Sequence, residues 1–351
     1  MRVIRREAKK SVLALKAASV LVGLAAASPL FLVYGLNPLE VYSFVVSSSL
    51  FTPVGLSESL VRAIPLLLVS TGLAASFKTG FWNIGAEGQL LAGAMAAFVL
   101  IRALSLPAPL MIPLLFLTGF AAGAVWAGIP ALLKVKLEVN EVISTLMLYY
   151  VIYWAFQHLI HGPWKAVEKV GSLTYGGFAH TEVIPESAQL PTAFGRVHWP
   201  TLLLALVLAF LTYFLLEKTP WGFEMRAVGS NPDAAKASGM AYLRAIMLAV
   251  AISGGYAGLA GVGELCGVQK RFTPEFLSGY GFMGIITAWL AGTNPLSLVL
   301  TNFLYGALLV GGEGLMIEYQ LPLGVVNMFN GVILLSVLAA DFFVRYEVRF
   351  E

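Results

Sequence analysis

Apolar runs long enough to cross a membrane recur along almost the whole of this 351-residue chain. A spanning helix needs about 20 consecutive, mostly apolar residues. The runs occupy positions 11–35, 56–77, 81–102, 107–133, 141–161, 199–217, 243–263, 276–291, 295–314 and 321–341. Because backbone polar groups in lipid must be satisfied within the chain, we predict that each run forms a helix. The expected fold class is all-α, a polytopic transmembrane helical bundle of about ten spans in a single domain over residues 1–351.

The composition agrees with a membrane protein. Hydrophobic residues make up 58% of the chain and charged residues only 12%, whereas soluble domains carry about 25% charged residues. The single cysteine, Cys266, excludes an intrachain disulfide framework, and the net charge of +3 is too small to indicate a nucleic-acid partner. We therefore expect a multi-pass protein of the cell membrane, surrounded by lipid.

Basic residues set the expected orientation. The first run begins within a basic segment, Met1–Lys16, and is longer than the apolar core of about 7–15 residues in a cleavable signal peptide, so we expect it to remain as the first span. Loops rich in Lys and Arg remain in the cytoplasm. With ten spans, Lys78, Lys134 and Arg226 fall on the same side as the N-terminus, which predicts an N-in, C-in topology. The short apolar stretch 37–52 is expected at the interface outside the second span.

The motifs of several enzyme classes are absent from the sequence. It contains no G-x-x-x-x-G-K-[ST] phosphate loop and no H-E-x-x-H zinc motif. Aspartate occurs only at Asp233 and Asp341, so an aspartate-rich, Mg-dependent transferase motif is excluded. We expect a chain that is not an enzyme, with no metal and no cofactor of its own.

The most polar segment at the start of an apolar run is Phe81–Gln89. It places Asn83, Glu87 and Gln89 among apolar residues, interleaved with glycines. A charged side chain at membrane depth costs about 2.5–3.5 kcal/mol on insertion scales, so such residues face a polar cavity or a partner. One interpretation is therefore a gate or a lining of the solute pathway. The other is a helix start, with Asn83 as cap and Glu87 at the positive end of the helix dipole.

A second polar segment, Glu138–Thr145, opens the run at 141–161. Asn140 is a plausible N-cap, and Glu141 would stand in the first turn of the helix. Both residues are also candidates for the solute pathway, and the sequence leaves the two interpretations open.

Two further features concern helix packing. Arg62 lies within an apolar run and can pair with Glu58, four residues earlier on a helix. This favours a structural role unless the pair lines a cavity. The glycine-rich segment 254–263 resembles the small-residue surfaces on which membrane helices approach closely.

Two loops are long enough to carry function. The outer loop, about 162–198, is rich in Gly, Pro and polar residues. The inner loop, about 218–242, contains Asn231 followed by Pro232, a helix start signal, and Gly239, a stop signal. These signals predict a short surface helix that docks into a cleft of a separate soluble protein, although an ordinary connector is the alternative.

Four segments carry a resemblance to a known family. The inner-loop segment WGFEMRAVGSNPDAAKASGM resembles the coupling loop of ABC importer permeases of the branched-chain amino acid, ribose and nucleoside group. The segments FWNIGAEGQLLAGA, LEVNEVISTLMLYY and IPESAQLP are similar to the nucleoside-type permeases, which work with basic membrane proteins. The resemblance covers roughly residues 56–341.

The resemblance implies an assembly of several chains. Two cytoplasmic ATP-binding subunits would bind ATP and Mg, and each would receive a coupling helix. A second permease chain, a paralogue or an identical copy, would complete the pathway, and an extracytoplasmic solute-binding lipoprotein would contact the 162–198 loop. The residues implied in coupling are Gly229, Asn231, Pro232, Ala234, Ala235 and Gly239. On this interpretation Ala235→Arg uncouples ATP hydrolysis from uptake.

Nucleoside import is the leading functional prediction, and two alternatives remain. One is an ABC permease for a simple sugar such as ribose. The other is an ion-coupled secondary transporter, which requires carboxylates on broken helices in the middle of the membrane. Glu87 and Glu141 are the candidates for those carboxylates, and both lie near expected helix starts.

Overall fold

A computed structural model describes the backbone of residues 2–5, 12–166, 168–170, 173–175 and 178–349. Its α-helices are α1 (Val12–Val33), α2 (Pro38–Leu50), α3 (Pro53–Lys78), α4 (Ala86–Ala103), α5 (Ala108–Leu137), α6 (Glu141–His161), α7 (Trp199–Lys218), α8 (Pro220–Ser230), α9 (Pro232–Ala237), α10 (Tyr242–Gly263), α11 (Tyr280–Leu290), α12 (Pro295–Glu318) and α13 (Leu323–Arg345). Four short strands, β1 (Arg2–Arg5), β2 (Glu168–Val170), β3 (Leu173–Tyr175) and β4 (Tyr346–Arg349), form the antiparallel pairs β1–β4 and β2–β3. The predicted helical fold class is confirmed.

Among the described residues, seven helices are long and apolar enough to cross a membrane. They are α3, α4, α5, α6, α7, α10 with its continuation to Gln269, and α12. The described part of α1 and helix α2 pass the same test as a pair, although they meet at an angle of 112°. The stretch expected at the interface is thus a helix in its own right, which makes a broken span or a re-entrant loop with α1. The runs predicted at 276–291 and 321–341 are present as α11, which has 11 residues, and α13, of which the part whose side chains the structure describes, Leu323–Ala339, is shorter than the seven spans.

By internal contacts the chain divides into two compact units, Met1–Arg62 with Phe303–Glu351, and Ala63–Asn302. In the first unit, α1 packs along α13, and α2 packs on the C-terminal part of α12. Phe31 of α1 and Phe329 of α13 are in edge contact, with ring centroids 5.3 Å apart. Tyr42 of α2 stacks on Phe329, with ring centroids 6.2 Å apart. These aromatic rings form the centre of an apolar core.

The second unit is built around α10, which packs against α4 and α5. Glycines make this possible, because a Cβ atom added at Gly254 or Gly258 would clash with the backbone of α5 at Gly123 or Gly119. A Cβ atom added at Gly93 of α4 would likewise clash with the backbone of Gly258. The predicted small-residue packing surface is therefore confirmed. Beyond Gly263, α10 continues as a π-helix from Glu264 to Gln269.

The segment that ends in α11 runs along α6. Near the end of α6, Gln157 Nε2 donates to the Pro274 carbonyl oxygen at 3.2 Å. Two turns earlier, the Tyr149 ring is in edge contact with Phe282 at 5.4 Å. Residues 272–279 before α11 are not helical, and α11 itself has 11 residues, about 16 Å. An irregular stretch and the start of a short helix therefore contact α6 between Tyr149 and Gln157.

Candidate functional site

Helix α9 is the short surface helix that the inner loop predicts. Asn231 caps it, and its Oδ1 accepts hydrogen bonds from the backbone N–H groups of Asp233 at 3.1 Å and Ala234 at 3.0 Å. Pro232 is the first helical residue, and the chain leaves the helix at Gly239, whose φ of +79° favours glycine. Both the start and the stop signals act as the sequence predicts.

The residues implied in coupling occupy two different faces of α9. Asn231, Pro232 and Ala234 are exposed, so they form a surface that a partner can contact. Ala235 is only 4% exposed and packs inward. An arginine at Ala235 would therefore disturb the packing beneath α9 before it disturbed a docking surface, and Ala234 is the better position at which to test docking.

Ala235 belongs to an apolar cluster that includes Phe81, from the polar segment Phe81–Gln89. Phe81 is fully buried in this cluster together with Val228 of α8 and Ile246 of α10. Ser76 fixes the turn that presents Phe81, because its hydroxyl donates to the Phe81 carbonyl oxygen at 2.7 Å. The inner face of the predicted coupling helix and the segment that the sequence singles out as polar therefore share one apolar cluster.

The inner loop also approaches the turn after α3 closely, at Gly229 of α8. A Cβ atom at this position would clash with the Lys78 carbonyl oxygen and would approach Gly80 N to 3.0 Å. Gly229 is therefore required for the close approach of α8 to the turn after α3. It was predicted as a coupling residue, and the structure places it at this backbone contact.

Three polar side chains of the site form one buried hydrogen-bonded group. Asn83 and Gln89 exchange amide hydrogen bonds of 2.7 and 2.9 Å, and Asn83 Nδ2 also donates to Ser253 Oγ of α10 at 2.9 Å. Asn83 and Ser253 are 0% exposed, and Gln89 is 1% exposed. Asn83 is thus not the N-cap of α4, which begins at Ala86 after Gly85. The group joins the 79–85 turn to α4 and α10.

Glu87 lies at the N-terminus of a different helix from its own. Its carboxylate accepts hydrogen bonds from the backbone N–H groups of Gly279, at 2.9 Å, and Gly281. These N–H groups belong to the N-cap and first turn of α11, where the helix dipole favours a negative charge. The sequence suggested a dipole role for Glu87 in α4, whereas the structure shows hydrogen bonds to α11.

The second polar segment combines a cap with an ion pair. Asn140 Oδ1 accepts a hydrogen bond from Val142 N at 2.9 Å and so caps α6, as its position suggests. Glu141 pairs with Lys134 at the end of α5 and accepts a long hydrogen bond of 3.5 Å from Trp82 N. Thr145 Oγ1 accepts from Ile84 N at 3.2 Å. The start of α6 is thereby tied to α5 and to the 79–85 turn.

The outer loop is attached firmly to the chain beyond α10. Leu190 N donates to the Cys266 carbonyl oxygen, Ile184 N to Lys270 and Thr181 N to Phe272, at 2.9–3.0 Å. Residues 167, 171–172 and 176–177 of the predicted loop, and residues 6–11 of the predicted basic N-terminal segment, lie outside the described residues. A cleft of about 310 Å³ opens at this loop, lined by Arg102, Lys165 and Glu182 among other residues.

Sequence reasoning missed His198, at the end of this loop. Its ring is 0% exposed and packs against Gly267 and Gly263 of the α10 extension. In the part of the chain that the structure describes, neither ring nitrogen has a hydrogen-bond partner. Burial lowers the pKa of His198 from 6.5 to about 4, so the ring is neutral at pH 7. The glycine spacing i, i+4 at 263 and 267 is the only signal that would have suggested a bulky neighbour.

Comparison with known proteins decides the family. The sequence profile of the branched-chain amino acid transport system permease component matches residues 55–338. The chain belongs to this permease family. It is therefore a membrane-embedded permease component of an ABC transporter, located in the cytoplasmic membrane, and a transport subunit.

Individual relatives of the permease carry different solute names. The glucose ABC transporter permease protein TsgB13 of Haloferax volcanii is 34% identical, over 94% of this chain and 88% of the relative. The guanosine ABC transporter permease protein NupP of Bacillus subtilis is 32% identical, over 95% and 93%. The nucleoside ABC transporter permease protein NupB of Lactococcus lactis is 29% identical, over 82% and 80%.

Proposed function

We propose that this permease forms the pathway by which an ABC importer takes up nucleosides. The observation that carries the proposal is the similarity to guanosine and nucleoside permeases along 82–95% of the chain. The sequence resemblance of Phe81–Gln89 and Glu138–Thr145 to nucleoside-type permeases supports the same solute class.

Import of a simple sugar is the second candidate. It is favoured by one specific observation, the 34% identity to a glucose permease. Both solute classes contain a sugar ring, so a pathway built for one shares part of its chemistry with the other. Family membership leaves no support for the ion-coupled secondary transporter considered from the sequence.

The proposed route of coupling begins at α9. Two ATP-binding subunits, which bind ATP and Mg, dock against the exposed face with Asn231, Pro232 and Ala234. The inward residue Ala235 transmits their motion to Phe81, and Gly229 transmits it to the turn after α3. This route is supported by the cluster and the backbone contact that join these residues.

The five polar residues predicted for the pathway are proposed as a gate. They are Asn83, Glu87, Gln89, Asn140 and Glu141. Except for the Asn140 cap, their hydrogen bonds and ion pair connect separate elements, namely the 79–85 turn, α4, α5, α6, α10 and α11. Movement of the turn would break or shift these bonds together.

We propose ten spans in one domain of 351 residues, with both termini in the cytoplasm. Seven helices pass the length test, and α1, α11 and α13 complete the number. The antiparallel pairing of β1 with β4 supports an even count, because it brings the two ends of the chain to one side. A second permease chain and an extracytoplasmic lipoprotein that contacts the 162–198 loop complete the proposed assembly.

Reconstitution tests the proposal. The permease is inserted in proteoliposomes with its ATP-binding subunits, its second permease chain and its lipoprotein, and uptake of labelled guanosine and labelled glucose is measured. ATP-dependent uptake of guanosine, with no uptake of glucose, is the expected result. Uptake of glucose alone replaces the leading candidate with the second one, and uptake by the permease alone without ATP contradicts both.

A further inference from the structure

The cleft at the outer loop has the size of a small-molecule site. Its volume is about 310 Å³, within the range of roughly 300–1,000 Å³ in which proteins hold small molecules. Its lining comes from the end of α4, the residues that follow α6 and the outer-loop stretch 182–185. Helix α4 is long enough to cross the membrane and begins at Ala86, beside the proposed gate. The cleft therefore lies on the opposite side from the gate, which is the proposed outer face.

Hydrogen bonds fix the walls of the cleft. Trp164 N donates to the Leu159 carbonyl oxygen at 2.8 Å, which holds the residues after α6. Ile184 N donates to the Lys270 carbonyl oxygen at 2.9 Å, which holds the outer-loop wall. The third wall is part of α4 itself. The backbone of the chain thus shapes the cleft, as is usual for sites that bind small molecules.

Two aromatic rings line the cleft. They are Phe98 and Trp164, whose ring centroids are 4.9 Å apart. Phe272 stacks on Trp164, with ring centroids 6.0 Å apart, and is in edge contact with Phe98. Because the three rings pack on one another, the aromatic wall is rigid. Stacking on such rings is the usual means by which proteins hold a nucleobase of any sequence.

Three charged side chains, Arg102, Lys165 and Glu182, also line the cleft. In the part of the chain that the structure describes, none of the three is in an ion pair. Arginine and lysine only donate hydrogen bonds, and an ionised carboxylate only accepts them. An ion of either sign would meet repulsion from one side of this lining. An uncharged solute that carries both donors and acceptors satisfies all three groups.

We propose that this cleft is the site at which the permease receives a nucleoside on its outer face. The proposal rests on the proposed function, which names nucleosides as the solute. The base lies against Phe98 and Trp164, and the Glu182 carboxylate accepts from N–H or O–H groups of the solute. Arg102 and Lys165 donate to its oxygen and nitrogen acceptors. A nucleoside released by the lipoprotein occupies the cleft before it reaches the gate.

Photolabelling of the complete reconstituted transporter tests the site. 8-Azidoguanosine is added together with the lipoprotein, the sample is irradiated, and the labelled peptides of the permease are mapped. We expect the label in residues 163–165 or 182–185, and we expect excess guanosine to displace it while excess glucose does not. Label in these segments that guanosine does not displace overturns the proposal, as does displaceable label that maps only to other segments of the permease.

A pair of matched variants tests the role of the carboxylate. Glu182→Gln keeps the size of the side chain but loses its charge, so the guanosine concentration that displaces half of the label should rise about tenfold. Glu186→Gln is the control, because Glu186 is an exposed carboxylate of the same loop that does not line the cleft. It should change this concentration less than twofold. Equal effects of the two variants contradict the assignment of Glu182.

Two other measurements separate this proposal from its alternatives. Lipoprotein binding is measured for the wild type and for Glu182→Gln. If the variant weakens lipoprotein binding but leaves displacement of the label unchanged, the cleft is a protein-docking surface and the proposal is wrong. Absence of ATP-dependent guanosine uptake by the wild type contradicts the proposed function, and with it the nucleoside as occupant. Displaceable label outside the cleft, in a transporter that takes up guanosine, contradicts the cleft alone.

Discussion

The carboxylate of Glu87 accepts a hydrogen bond of 2.9 Å from the backbone N–H of Gly279, 192 residues further along the chain. With the neighbouring bond from Gly281, it supplies the N-terminal cap that α11 lacks in its own sequence, since Gly279 has no side chain. A helix of 11 residues depends strongly on its cap and its packing for stability.

Glu87→Gln should therefore destabilise the permease. The amide keeps the size of the side chain but loses the charge and one of the two acceptor oxygens. We therefore expect the free energy of unfolding to fall by about 1–3 kcal/mol. Thermal unfolding of the purified chain in detergent measures the effect. Glu318→Gln, on an exposed carboxylate, serves as the control and should leave the midpoint unchanged. Equal midpoints for wild type and Glu87→Gln would show that the cap contributes nothing.

Ala234→Arg and Ala235→Arg should have different consequences. Ala234 is exposed, so its arginine should leave unfolding unchanged and reduce transport per ATP hydrolysed at least fivefold by obstructing the docking surface. Ala235 is buried in the same apolar cluster as Phe81, so its arginine should destabilise the chain by about 3 kcal/mol or more. Unfolding and ATP-coupled uptake are measured for both, with Ala103→Arg at the exposed end of α4 as control. Normal coupling in Ala234→Arg would argue against docking at α9.

Gly229→Ala should be among the most damaging single-methyl changes in the inner loop. The added Cβ atom clashes with the Lys78 carbonyl oxygen, a backbone atom that cannot move without shifting α3 or α8. We expect a loss of about 1–3 kcal/mol in unfolding free energy. Gly324→Ala is the matched control, because no atom lies within 4 Å of its added Cβ atom. If the two variants have the same free energy of unfolding, the close approach at Gly229 is not required.

Gln89→Ala and Ser253→Ala should separate the contributions within the buried polar group. Gln89→Ala removes both hydrogen bonds of the reciprocal amide pair and leaves Asn83 Oδ1 without its donor, so we expect a loss of about 2–4 kcal/mol in unfolding free energy. Ser253→Ala removes one of two acceptors from Asn83 Nδ2 and should cost about 1 kcal/mol. Denaturation midpoints rank the two variants, and the reverse order would contradict the assigned geometry.

His198 should make the stability of the permease depend on pH. Its folded pKa of about 4 lies below the ordinary value of 6.5, so the unfolded chain takes up a proton between these values and the folded chain does not. Stability attributable to His198 is therefore complete above pH 6.5 and falls as the pH drops towards 4, by up to about 3 kcal/mol. His198→Phe should reduce this dependence when unfolding is measured at pH 7.5 and 5.0. An unchanged pH dependence in the variant would assign it to other groups.

The apolar runs and the helix start and stop signals of the sequence predicted most of the helices. Apolar runs located the long helices to within a few residues at most ends, and α9 followed from Asn231, Pro232 and Gly239 because caps act over one turn. The run at 81–102 began too early, since residues 81–85 form a turn whose shape depends on Ser76 and Thr145.

The partners of the polar residues were not predictable in the same way. Glu87 and Gly279 are 192 positions apart, and Arg62 pairs with Glu313 251 positions away rather than only with near neighbours. A single sequence gives spacing along one helix, whereas these contacts depend on which helices pack together. The burial of Ala235 was not predictable either. A helix of six residues such as α9 has too few positions to show a periodic pattern that would distinguish its buried face.

The shared cluster of Phe81 and Ala235 limits how such permeases can be recombined. An exchange of residues 219–240 with a relative, intended to redirect the protein to a different ATPase, transplants only half of a packed unit. The graft must bring along the residue at position 81 and the glycine at position 80, which faces Gly229. On the proposed coupling route, the surface that meets the ATPase and the segment proposed for the pathway therefore have to be exchanged together, although they lie about 150 positions apart in the chain.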